Sequence, residues 1–114
     1  MKYYAQETMG GLREAFEAVV LGWPEVGQKA LFGCPCYLAS ERMFGFLVTG
    51  GIVLTTLPDE VRQSLPPELG ASPFQAGART MKSWVRLPVT TPEEIGTLAP
   101  LIELSYQAAL SGAE

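Results

Sequence analysis

The chain has 114 residues, 47% of them hydrophobic and 18% charged, with 8 Lys and Arg against 12 Asp and Glu for a formal charge of −4. That is the size and make-up of one folded domain spanning 1–114, and it excludes a disordered segment. There is no histidine, so the usual general base near neutral pH and the commonest metal ligand are missing, and the acidic balance disfavours non-specific nucleic-acid binding.

The N-terminal stretch MKYYAQETMGG carries no apolar core of a secretory signal, and no run of apolar residues is long enough to span a membrane. Together these predict a cytoplasmic protein without membrane contact. The first helix is expected from Gln6 to Leu21. Leu12, Ala15, Phe16, Val19 and Val20 fall at i, i+3, i+4, i+7 and i+8 and form one apolar stripe, with Arg13, Glu14 and Glu17 off it. Gly22-Trp23-Pro24 stops this helix, because the residue before a proline avoids helical geometry.

Three strands are expected next. Leu31 to Leu38 is the first, and Pro35 inside it predicts an edge strand or a bulge, since proline cannot donate to a ladder. After a short loop at Ser40-Glu41-Arg42 comes Met43 to Thr49, apolar almost throughout, and then Ile52 to Leu57. Gly50-Gly51 between the last two is the strongest hairpin signal in the chain. Pro58 opens a short helix whose Asp59 and Glu60 suit the positive end of the helix dipole and whose Val61 and Leu65 dock it, and Pro66-Pro67 ends it. Phe74 to Ala76 and Met81 to Leu87 make a second hairpin around Gly77. The last helix starts at Thr91, with Thr91 and Glu94 spaced as a capping box. Pro100 predicts a kink or break near Leu98-Ala99, and Gly112 a C-terminal cap. The layout is α+β, α-β(3)-α-β(2)-α, with a five-stranded antiparallel sheet and helices packed on one face.

Two constellations could carry chemistry. Cys34-Pro35-Cys36 places two thiols on one face of a strand, a candidate redox pair or half of a metal site. A tetrahedral Cys/His zinc site needs two more such ligands, and the chain has none, so no metal is expected. Read as structure, the same two residues are small core hydrophobes. The second constellation is Lys82, Trp84 and Arg86 on one face of the last strand, with Arg79 just before it and Met81, Ser83, Val85 and Leu87 facing the core. Basic residues around an aromatic can hold single-stranded nucleic acid or an anionic ligand, and they can equally be a solvated face whose stems cover an indole. The acidic pairs Asp59-Glu60 and Glu93-Glu94 sit in first helical turns and read as dipole partners. No phosphate-binding loop, dinucleotide fingerprint or nucleophile elbow occurs, so no cofactor is expected.

The order of these elements resembles the N-terminal domain of the TfoX family, a fold grouped with YjbR-like and secretion-chaperone-like domains. The matching residues lie between Lys29 and Ala109: Phe32-Gly33, Met43-Phe44, Pro73-Phe74, Ser83-Trp84 and Leu87-Pro88. Cys34-Pro35-Cys36 departs from the family's Gly-rich stretch after Phe-Gly. The resemblance implies a bacterial, non-enzymatic regulatory or protein-interaction domain, related to a regulator of competence genes, with no catalytic residues to carry over. The other readings are a thiol-dependent redox or small-ligand-binding protein using Cys34 and Cys36, and a nucleic-acid accessory domain using Arg79, Lys82, Trp84 and Arg86. A homodimer is expected as well. The run from Met43 to Val48 is apolar on both sides, so a sheet covered on one face would expose Phe44 and Phe46 to a partner, with Trp84 beside them.

Overall fold

The computed structural model describes residues 4, 6–31 and 33–112. They form three α-helices and a six-stranded antiparallel sheet, an α+β arrangement. Helix α1 (Gln6–Val20) leads into strands β1 (Val26–Leu31), β2 (Cys34–Ala39), β3 (Arg42–Val48) and β4 (Gly51–Leu54). The short helix α2 (Asp59–Gln63) and a 3₁₀ turn at Pro67–Leu69 follow, then β5 (Ser72–Ala76), β6 (Arg79–Pro88) and helix α3 (Pro92–Leu110). The strand order is β1-β2-β3-β4-β6-β5. No helix among the described residues is long and apolar enough to cross a membrane.

The sheet has one strand more than the five expected. What reads as a single strand from Leu31 to Leu38 is the end of β1 and most of β2, with a turn between them in which Gly33 takes a φ of +76°. Phe32, the first residue of the Phe-Gly step, lies outside the described residues. The added strand, VGQKAL, has four exposed central residues and no apolar alternation. It is a strand because β2 pairs with it along its whole length, from Val26 opposite Ala39 to Leu31 opposite Cys34. Pro35 therefore sits inside the sheet and not at its edge. It is tolerated there because pairing between β2 and β3 begins only at Cys36, opposite Phe46, so Pro35 has no β3 residue opposite it.

The β2–β3 turn uses Ser40 and Glu41, both at positive φ (51° and 71°), the backbone of a tight two-residue hairpin. A bulge follows. Tyr37 faces Gly45 and Leu38 faces Met43, which leaves Phe44 unpaired with β2. Its carbonyl accepts from the Thr55 N–H at 3.1 Å and from the Ser105 hydroxyl at 2.7 Å.

Two cross-strand rows define the faces of the sheet. Gln28, Tyr37, Gly45, Leu54, Val85 and Pro73 line up on the helix side. There Phe16 of α1 packs on Tyr37 with ring centroids 4.9 Å apart, and Tyr106 of α3 packs edge-on against Phe44 at 5.6 Å. The neighbouring row, Lys29, Cys36, Phe46, Val53, Arg86 and Ser72, points to the other side. The centre of that side is also buried. The β5–β6 hairpin curls over it, bringing Phe74 to 5.2 Å and Trp84 to 5.6 Å from the Phe46 ring. Cys36, Phe46 and Val53 are all completely buried beneath it.

Of the kink or break expected near Leu98-Ala99, the break does not occur: α3 runs continuously through Pro100. The hydrogen bond that Pro100 cannot donate would go to Gly96, and both residues are exposed, where water can take that carbonyl. The helix starts with the Thr91/Glu94 capping box, and the Glu94 carboxylate accepts from the Thr90 and Thr91 backbone N–H groups at 2.6 and 3.1 Å. It is tied to the sheet by the fully buried Ser105. Besides donating to Phe44, the Ser105 hydroxyl accepts from the Thr56 N–H at 3.2 Å, and the Ser105 carbonyl accepts from the Thr56 hydroxyl at 2.6 Å. Ser105→Ala leaves the Phe44 carbonyl its Thr55 partner and strands the Thr56 N–H. The expected loss is about 1–2 kcal/mol in urea denaturation, and an unchanged midpoint would contradict this role.

Candidate functional site

Cys34 and Cys36 are both buried thiols, 1% and 0% exposed. Burial pushes the Cys34 thiol up to about 11, and the neighbouring Cys36 adds to it. Burial also raises Cys36, against a partial pull downward from Lys29. A thiol must ionise to act as nucleophile or ligand, and neither is poised to do so near neutral pH. Among the described residues no group of three His, Cys, Asp or Glu could hold a metal ion. A colorimetric thiol reagent at pH 8 is expected to titrate neither cysteine in the native protein and both after denaturation. Rapid native labelling would overturn this reading.

A polar cluster absent from the sequence reading links α1 to the sheet. Oε2 of Glu17 accepts three hydrogen bonds, from Arg13 Nε at 2.8 Å, Gln28 Nε2 at 2.6 Å and the Tyr37 hydroxyl at 2.7 Å. Burial works to raise the Glu17 carboxyl, but the bonds from Arg13 and Tyr37, the Arg13 charge and the Gln28 amide outweigh it, so the carboxyl sits below its ordinary value. Burial and the Glu17 bond push the Tyr37 phenol the other way, well above its usual range, and it stays a donor. The cluster holds a charge with its partners and offers no proton at neutral pH. In the sequence Glu17 shows only as a residue off the apolar stripe. The available signal is its place one turn after Arg13.

The basic residues of β6 do not form one stripe. A register shift between Pro73 and Phe74 breaks the alternation of β6 from Lys82 to Trp84. Ser83 is exposed and not part of the core face. The Trp84 ring is taken up by Phe46 and Phe74, at 5.6 and 6.1 Å. Lys82 lines a small cleft of about 190 Å³ with Arg62, Leu65 and Val85. Arg86 lines a separate cleft of about 420 Å³ with Thr49, Ser72, Phe74 and Gln75. Arg79 is exposed at the start of β6. A third and larger cleft, about 750 Å³, lies where α2 meets the sheet and is bordered by Arg42 and Arg62 together with Asp59 and Glu60. Arg62 is already paired with Asp59 and also donates to the Lys82 carbonyl at 3.4 Å.

Phe44 and Phe46, expected at an interaction surface, are both 0% exposed within a single chain. The reason is the curl of the β5–β6 hairpin on one side and α3 on the other. The exposed large hydrophobics among the described residues are Leu21 and Leu104. The sheet has two open edges, the outer side of β1, which pairs only with β2, and that of β5, which pairs only with β6 and carries Pro73. Comparison with known protein families, curated proteins and solved structures gives no match for this chain.

Proposed function

We propose that the chain is a non-enzymatic regulatory or protein-interaction domain of the TfoX N-terminal type, and that it recognises its partner through the outer edge of β1. The family part of this reading rests on the order of the residue motifs from Phe32-Gly33 to Leu87-Pro88. The observation that carries the rest is the edge itself. Gly27, Gln28, Lys29 and Ala30 are exposed, the strand contains no proline, and its one charge is Lys29. Outward-facing backbone groups on such a strand are a template for strand addition. The groups that could run chemistry are committed elsewhere: two buried thiols, a Glu17 carboxylate held by three donors, and a Ser105 hydroxyl bonded to the sheet.

The partner that fits most simply is a second copy. Two β1 strands pairing antiparallel about a two-fold axis at Gln28 set Lys29 opposite Gly27 of the other chain, which keeps the two lysines from facing each other. Dispersal of Arg79, Lys82, Trp84 and Arg86 argues against the nucleic-acid reading, and the raised thiols argue against the redox reading. Sedimentation equilibrium across micromolar concentrations tests self-pairing. The expected result is a mass twice the 12.3 kDa of one chain, with the β1 amides gaining protection from hydrogen exchange as the dimer forms. A monomer mass throughout would refute it.

A further inference from the structure

The Arg86 cleft differs from the larger one beside α2 in its charge balance. Two carboxylates, Asp59 and Glu60, border the larger cleft with its two guanidinium groups, and one of them already pairs with Arg62. No carboxylate lines the Arg86 cleft among the described residues. Arg86 spends one donor on the Thr49 carbonyl, 3.2 Å from Nη2. A guanidinium carries five N–H donors in a planar fork. This group lies over Gly50 of the β3–β4 turn and Gly51 at the start of β4, with Nη2 3.5 Å from where a Gly50 Cβ would be and Cζ 3.5 Å from a Gly51 Cβ, so side chains there would crowd it.

Other donors converge on the same space. Ser72 is directly opposite Arg86 in the β5–β6 register, on the same face, and lines the same cleft. Gln75 uses Oε1 to accept from the Thr80 hydroxyl at 3.2 Å, which leaves its amide N–H₂ as a donor. Val48, Pro73 and Phe74 supply an apolar wall. A cationic fork, a hydroxyl and an amide beside an apolar wall, in a cleft of about 420 Å³, match the form of a small-molecule site.

We infer that this cleft binds a small organic acid, with the carboxylate on Arg86, Ser72 and Gln75 and an apolar body against Pro73 and Phe74. The site is lined by residues of β3, the β3–β4 turn, β5 and β6 and by none of β1, so it stands or falls separately from the pairing of β1. The test is a titration of the uniformly ¹⁵N-labelled chain with benzoate, and separately with inorganic phosphate, followed by amide chemical shifts. Benzoate is expected to give saturable shifts at Thr49, Ser72, Gln75 and Arg86. Arg86→Gln, which removes the fork, and Gln75→Glu, which puts a like charge at an exposed position beside it, are each expected to weaken binding by about tenfold or more. Because Arg86 also braces the Thr49 carbonyl, Gln75→Glu carries the test if Arg86→Gln fails to fold. Benzoate shifts that do not saturate or that map elsewhere, binding of phosphate without benzoate, or unchanged affinity in Gln75→Glu would each overturn the assignment.

Discussion

Phe46→Ala is expected to lower folding stability by about 3–5 kcal/mol, the range for emptying a fully buried aromatic site. The ring is 0% exposed, and its row neighbours Cys36 and Val53 are equally buried. Phe74 and Trp84 meet it edge-on, at interplanar angles of 90° and 73°, so deletion removes two aromatic contacts as well as apolar area. All of these partners belong to the same chain. The loss must therefore be the same at low and high protein concentration, whereas a residue in a dimer interface would lose stability that depends on concentration. Urea denaturation at two concentrations distinguishes the cases. A loss below about 1 kcal/mol, or a midpoint difference that changes with concentration, would contradict the burial of this face within the monomer.

Glu17→Ala is expected to cost about 2–3 kcal/mol, the scale for losing hydrogen bonds to a charged group and leaving buried donors unpaired. The critical donor is the Tyr37 hydroxyl, because Tyr37 is completely buried while Arg13 and Gln28 can turn to water. The effect depends on pH in a defined direction. The folded-state value of the Glu17 carboxyl lies below its ordinary 4.5. The unfolded chain therefore takes up the proton first as pH falls. The stabilisation is fully present above the ordinary carboxyl value and is lost as pH drops through the lower, folded-state one. The stability difference between the wild type and Glu17→Gln should be largest at neutral pH and shrink towards pH 3. A difference that grows on acidification would show that Glu17 is not held as a carboxylate by these donors.

Much of the fold is legible in the sequence because its causes are local. The stripe of α1 appears in the structure with Leu12, Phe16 and Val20 buried, since helical periodicity alone sets which residues share a face. The β3–β4 hairpin forms with its turn one residue earlier than expected, at Thr49-Gly50, where Gly50 takes a φ of +80° and Gly51 already pairs with Val48, and α3 begins at its capping box. The tertiary structure decided the rest. Residues 26–31 have no strand pattern of their own, and they become β1 only because β2 supplies a ladder. Pro35 sits in an interior strand because β3 has no residue opposite it, a matter of register between segments. The second face of the sheet is covered because the hairpin bearing Phe74 and Trp84 curls onto Phe46, 28 and 38 residues earlier in the chain. Glu17 collects donors 4, 11 and 20 residues away, and only the first of these lies on its own helix. Arg86 meets the carbonyl of Thr49, 37 residues earlier in the chain. Periodicity and turn chemistry act over a few residues and fix elements one at a time. Register, sheet curl and the meeting of distant polar groups follow from packing those elements together, and the cleft and the open edge proposed as sites are products of that packing.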